Sequence, residues 1–250
     1  MTHLKQAAVV SRTSASGLGL KSASRGIMHV MRMVPPRAVA GAASALPLLD
    51  GTYEETVRFS SYANWVVPGT IMQGRYPHME PETPGLSEEG GRLQLERILQ
   101  AGLTTFISLQ GELPDQVDMP QEGLKGFKPY KTVAEEVVNA SGQWRQLHFL
   151  HRPVVDMGVP DSSAMRNMIM DLSQRVQSGE VLYIHCHGGR GRSGVLASCL
   201  IATMYGLSAE EAIERVSRAY VTRRDGLPGS PDTPKQFDFI RKYIASLSKA

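Results

Sequence analysis

Val181-Leu-Tyr-Ile-His-Cys-His-Gly-Gly-Arg-Gly-Arg-Ser-Gly194 opens as an apolar run of strand length and closes as the start of a helix. Between Cys186 and Arg192 lie five residues, three of them glycine. Glycines let a backbone curl until successive N–H groups face one point. The helix that follows adds unsatisfied donors and the positive end of its dipole. Arg192 carries a planar fork that matches two phosphate oxygens. Together these features predict a cradle for a phosphate dianion with a sulfur nucleophile, Cys186, at its base. A thiolate is the reactive form of cysteine, and helix N-termini and nearby cations favour it.

Working outward from the loop, Cys186-x5-Arg192-Ser193 resembles the Cys-x5-Arg-Ser/Thr signature of the protein tyrosine phosphatase superfamily, and His185, Gly189, Gly191 and Gly194 also match it. The resemblance implies a cysteinyl-phosphate mechanism with no metal and no cofactor. In it Cys186 is the nucleophile, and Arg192 binds phosphate and stabilises its equatorial oxygens. Ser193 hydrogen-bonds the departing thiolate or caps the next helix. His185 orders the loop and helps to ionise the thiol, or is a core histidine. His187, Gly188, Gly189, Arg190 and Gly191 line the cradle with Arg192.

Upstream, Pro153-Val-Val-Asp156-Met-Gly-Val-Pro160-Asp-Ser-Ser163 resembles the acid loop of the superfamily, although Trp-Pro-Asp is missing. An alkoxide is a poor leaving group, so its oxygen must be protonated as the P–O bond breaks. Asp156 takes that role; Asp161 is the alternative, and its competing role is a helix N-cap shared with Ser162 or Ser163. Downstream, Ser230-Pro-Asp-Thr233-Pro-Lys-Gln236-Phe resembles the glutamine loop that positions hydrolytic water in tyrosine-specific phosphatases. Thr233-x-x-Gln236 also reads as a capping box with Pro234 at the first helical position. Trp65-Val-Val-Pro-Gly69 and Gly74-Arg-Tyr-Pro77 resemble the opening segment of dual-specificity phosphatase domains.

Two variable positions of the loop are basic. The phosphoinositide 3-phosphatase branch of the superfamily carries lysines where His187 and Arg190 stand, which keeps a phosphoinositide or another small anionic substrate open. The leading expectation is a dual-specificity hydrolase of phosphotyrosine, phosphoserine and phosphothreonine in proteins; a phosphate-binding pseudophosphatase is the non-enzymatic alternative. Arg218, Arg223 and Arg224 read as a basic rim or a solvated helix end. No nucleotide-binding Gly-x4-Gly-Lys-Ser/Thr is present.

The rest of the chain frames this domain. It has 250 residues, enough for one domain and a tail, and 42% hydrophobic with 20% charged residues suits a globular fold. A net charge of +3 does not point to nucleic acid. No apolar run approaches the roughly 18 residues that a membrane span needs. Residues 1–49 hold Lys5, Arg12, Lys21, Arg25, Arg32 and Arg37 with no acidic residue, which suggests a mitochondrial or plastid targeting peptide; a disordered basic tail in a cytoplasmic protein is the alternative. Residues 1–60 read as tail and linker and 61–250 as the catalytic domain. Cys199, the second of two cysteines, falls in an apolar helical run and reads as core.

Strands alternate with helices, which predicts a single α/β domain with a central, mostly parallel sheet and the active loop at the carboxyl end of a strand. Residues 65–73 read as one strand ended by Gly74 and Pro77, residues 81–85 as a loop, and a helix starting near Ser87 stops at Gly102. Residues 104–109 read as a buried strand. The polar excursion 112–143 contains one short helix, and such excursions border the active site in this superfamily. Met165, Met168, Ile169, Leu172 and Val176 keep helical spacing. Ser208-x-x-Glu211 opens one further helix, and Pro234 the last.

Overall fold

The computed structural model describes residues 46–49, 53–79, 89–142, 144–223 and 228–247. The basic segment 1–45, the loop 81–85, the helix start at Ser87 and Arg224 lie outside them. Five strands form one sheet in the order β1-β2-β5-β3-β4: β1 Ala63–Val67, β2 Ile71–Arg75, β3 Thr105–Gln110, β4 His148–Val154 and β5 Leu182–Cys186. All neighbours are parallel except β1 and β2. β5 lies in the middle, so its carboxyl end, which carries Cys186, sits over the centre of the sheet.

The alternation of side chains across a strand divides the core in two. Ile71, Ile107, Leu109, Leu182 and Ile184 face one way, toward α4 Ser162–Gln177, α5 Gly191–Tyr205, α6 Ala209–Val221 and α7 Pro234–Leu247. Met72, Phe106 and Tyr183 face the other way, toward α2 Glu89–Gln100 and α3 Lys131–Ala140. Helix α5 is buried along residues 192–202, including Cys199, as expected of a helix that is apolar all round. On α4 the spaced residues Met165, Met168, Ile169, Leu172 and Val176 are all buried, so the methionines fill core. Among the described residues no helix is long and apolar enough to cross a membrane.

Two readings change. Residues 65–73 are not one strand: β1 and β2 form an antiparallel hairpin that turns through Pro68 and Gly69, and Gly74 lies inside β2. Gly74 fits there because the Tyr183 hydroxyl occupies the space of its missing side chain, 2.0 Å from a built Cβ. The folded unit also starts before residue 60. Val57 of α1 Tyr53–Val57 is fully buried, α1 packs on β1 and α6, and Leu46 and Leu49 lie against the core. These apolar side chains gain by leaving water even though the surrounding composition is that of a linker.

Candidate active site

The loop between β5 and α5 is held from behind, carbonyl by carbonyl. The His187 carbonyl accepts from the Tyr76 N–H at 3.0 Å. Gly188 O accepts from Arg223 Nη1 at 3.3 Å, Gly189 O from Gln73 Nε2 at 3.0 Å, and Arg190 O from Ser230 Oγ at 2.7 Å. In a planar trans peptide the N–H points opposite to the C=O. Four carbonyls turned outward therefore turn the N–H groups of residues 188–191 inward, which makes a nest for an anion. Gly189 takes φ +67°, and a Cβ there would fall 2.1 Å from the carbonyl carbon of Gly74. Loop and β2 approach so closely that no side chain fits between them.

Cys186 ends β5 and is buried, with Sγ 3.6 Å from Ser193 Oγ on the first turn of α5. Arg192, also buried, reaches across the ends of β3 and β4. Its Nη1 donates to Glu112 Oε2 at 2.6 Å and to Val154 O at 3.1 Å. Its Nη2 donates to Glu112 Oε1 at 2.9 Å and lies 3.0 Å from Asp156 Oδ1. Burial alone lowers the Arg192 pKa, but the bonds it donates to Glu112 and the charges of Cys186, Glu112 and Asp156 outweigh it and leave it raised. Partial burial pushes the Glu112 carboxyl up, and its bonds from Arg192, the backbone and Gln110 bring it below the usual carboxylate range. The site thus holds a fixed guanidinium between two carboxylates.

His185 lies fully buried under the loop. Its Nε2 is 2.8 Å from the Tyr130 hydroxyl, and the rings of Tyr76, Tyr130 and Tyr183 surround it. Burial pushes its pKa down to about 3, so it is neutral. It anchors the strand end and gives Cys186 no positive charge, which removes the charge half of the sequence expectation.

Asp156 stands on the connection from β4 to α4 with its side chain 66% exposed and the Arg192 ion pair as its hold. Asp161 is the N-cap of α4. Its Oδ1 accepts from the Ser163 and Ala164 N–H groups and from the Ser163 hydroxyl, and the backbone bond of Ala164 and the hydroxyl bond of Ser163 hold its pKa below the usual range. Gln236 forms the capping box. Its Oε1 accepts from Asp232 N and Thr233 N, and Gln236 N donates to Thr233 Oγ1. Its Nε2 donates to Gly158 O at 3.1 Å, which ties α7 to the Asp156 loop.

The two basic residues expected inside the cradle do not both sit there. His187 is exposed, with its ring edge-on to Phe127 at 5.0 Å. Arg190 turns out of the cradle, because Asp232 Oδ1 binds Nη1 at 2.6 Å and Gly229 O accepts from Nε at 2.8 Å. Arg223 is neither a rim residue nor a solvated helix end. It is buried, donating to Asn64 Oδ1 at 2.7 Å, Gln73 O at 2.8 Å and Gly188 O. Burial pulls its pKa down to about 10. Arg218 remains at the surface against Glu214.

Gln73, Glu112, Tyr130 and Asn64 escaped the reading of the sequence. Glu112 had a signal, since it follows the carboxyl end of β3 beside the nucleophile strand, where ligands bind in sheets of this kind. The others had none, because their partners are distant in sequence.

A thiol at the carboxyl end of the central strand and an arginine on the first turn of the next helix frame a loop shaped for an anion. The family described as "Swiss Army Knife protein, DSP-PTPase phosphatase domain" matches residues 60–240, and the chain belongs to it. Mouse protein tyrosine phosphatase domain-containing protein 1 is 27% identical over 204 residues, 78% of this chain and 24% of that protein. Human phosphatidylglycerophosphatase and protein-tyrosine phosphatase 1 is 29% identical over 104 residues, 40% of this chain and 50% of that protein. The chain thus spans between a quarter and a half of the length of these relatives. Among solved structures, PTPMT1 in complex with PI(5)P gives a TM-score of 0.51 at 15% identity, covering 75% of this chain and 97% of that one. Kinase associated phosphatase with its catalytic cysteine replaced by serine gives 0.51 at 17%, covering 79% and 99%. At these identities the two structures share the fold: one α/β domain with a mostly parallel sheet.

Proposed function

We propose that this chain hydrolyses phosphomonoesters through a cysteinyl-phosphate, without a metal, and acts on phosphotyrosine and phosphoserine or phosphothreonine in proteins. The observation that carries the reading is the sequence of outward carbonyls at residues 187–190, which aims the loop amides at the space above Cys186. The Cys186 thiolate attacks phosphorus in line with the leaving oxygen. Arg192 and the amides hold the equatorial oxygens as charge spreads over them. An incoming phosphate takes the Arg192 contact that Asp156 now makes, and Asp156 turns to the leaving oxygen and gives it a proton. Water then attacks the phosphocysteine, Asp156 takes up the water proton, and Ser193 Oγ supports the thiolate as the S–P bond breaks. Gln236 fastens the acid loop.

Asp156 is preferred to Asp161 because it already lies at Arg192, whereas the Asp161 carboxylate is engaged by the first N–H groups of α4. A second reading, a lipid or other anionic small-molecule phosphatase, draws support from the name of the human phosphatidylglycerophosphatase relative. The basic, acid-free residues 1–49 support delivery to a mitochondrion or plastid, which a fluorescent fusion of that segment tests.

The hydrolase reading is tested with aryl phosphates of graded leaving-group pKa. Cys186→Ser loses activity at least ~100-fold while still binding phosphate ester. Asp156→Asn slows the poorest leaving group by ~100-fold or more and the best one little. Residual activity above a hundredth in the serine variant ends the nucleophile assignment. Leaving-group dependence that follows Asp161→Asn instead reassigns the acid.

A further inference from the structure

We propose that Asp232 sets the substrate range by holding Arg190 away from the cradle, so that the site accepts one phosphoryl group and disfavours a second phosphate beside it. The inference rests on the hydrolase reading and narrows its substrate class. Arg190 is one of two basic side chains that the loop offers at its variable positions, and the only arginine there besides Arg192. In the fold its fork is taken twice, by Asp232 Oδ1 at 2.6 Å and Gly229 O at 2.8 Å. Both side chains of the ion pair are 27% exposed, so the latch lies at the rim, partly out of water.

Asp232 is itself fixed. Its backbone N–H donates to Gln236 Oε1 at 3.0 Å, and its Cβ lies 3.3 Å from a Cβ built on Gly191, the first residue of α5. A carboxylate is therefore anchored against the edge of the nest, on the same side as Arg190. A second phosphate arriving there meets this negative charge and finds the matching guanidinium engaged. The other variable base, His187, leans on Phe127. Arg190 and Arg192 together face three carboxylates, Asp232, Glu112 and Asp156. The phosphate in the cradle displaces Asp156 from Arg192. Nothing in that exchange frees Arg190, whose partner is on another loop.

The experiment compares soluble inositol 4,5-bisphosphate with phenyl phosphate. Hydrolysis is followed in the intact chain, and binding by calorimetry in the Cys186→Ser background. Asp232→Asn keeps the shape and removes the charge. It raises the bisphosphate-to-monophosphate ratio of kcat/KM, and of binding constants, by roughly two- to fivefold, the range open to a partly exposed ion pair. Arg190→Met alone gives no gain, because it leaves the Asp232 carboxylate unpaired beside the nest, and Arg190→Met with Asp232→Asn loses most of the gain, since the freed arginine is its source. A ratio unmoved by Asp232→Asn overturns the latch, and so does a gain in the double variant as large as in Asp232→Asn alone, which would place its source in the lost charge and not in the freed arginine. If the binding ratio shifts but no ester is hydrolysed, the latch stands and the hydrolase reading fails.

Discussion

Two loops meet at Arg192, and they are built in opposite ways. In the phosphate loop the carbonyls of residues 187–190 each have a donor from elsewhere in the fold: β2 and its end, the segment after α6, and Ser230. In the acid loop Val155, Asp156 and Met157 are exposed. Among the described residues two long-range polar ties hold that loop, the Asp156–Arg192 pair and the Gln236–Gly158 bond. The difference follows the tasks. Donors that stabilise charge in a transition state are effective when they need no reorganisation. A proton donor that must also admit substrate works from a segment that can move.

Gly189→Ala is the most severe test of the contrast. The new Cβ meets the Gly74 backbone at 2.1 Å, at a φ of +67° that favours glycine. The expected outcome is a stability loss on the order of 3 kcal/mol, measured by denaturant unfolding. A loss of ~100-fold in kcat/KM accompanies it as the amides lose aim. A near-normal Gly189→Ala enzyme would mean that the loop is not fixed in advance.

Next comes Gln73→Ala. Gln73 Nε2 lies within 3.3 Å of Gly189 O, Ser230 Oγ and Ser193 Oγ, so its removal leaves buried acceptors unpaired. A cost of about 2 kcal/mol in stability and about tenfold in kcat/KM is expected. An unchanged melting temperature would sever β2 from the support of the loop.

The foundation of the phosphate loop should also show in pH. His185 has a folded pKa of about 3 against an unfolded value of 6.5. Between those limits the unfolded chain takes up a proton that the folded chain refuses. His185 therefore contributes its full stability above pH 6.5 and loses it as pH falls, at no more than about 1.4 kcal/mol per pH unit. Unfolding curves from pH 7 to 4 should show this slope, and His185→Gln should flatten it; equal slopes would place the proton uptake elsewhere.

The smallest effect is expected in the acid loop. Gln236→Ala releases Gly158 and lowers kcat by roughly three- to fivefold with little change in KM, because lid steps weigh on turnover. Stability falls less than in Gln73→Ala. A larger kcat loss confined to dephosphorylation of the phosphocysteine, seen as a burst of leaving group, would give Gln236 the water-positioning role in addition to the cap.

Much of this was legible in local sequence. The strand-loop-helix unit, the N-cap Asp161, the boxes Ser208–Glu211 and Thr233–Gln236, the methionine stripe of α4 and the buried Cys199 all depend on neighbours within one or two turns. Single residues misled where their partners were remote. Arg223 looked like a surface cation because nothing near it in sequence accepts its fork; its acceptors Asn64 and Gln73 lie 159 and 150 residues away. Residues 65–73 looked like one strand because both arms of the hairpin are apolar.

The sequence by itself determined which atoms can react: a thiol, a guanidinium and a carboxyl on three segments, with glycines where a backbone must curl. Only the tertiary structure decided what each charge faces. Glu112 took Arg192, Asp232 took Arg190, and Arg223 went inside. Curling is written in local backbone freedom, whereas the pairing of charges depends on which distant segments the sheet brings within hydrogen-bonding distance.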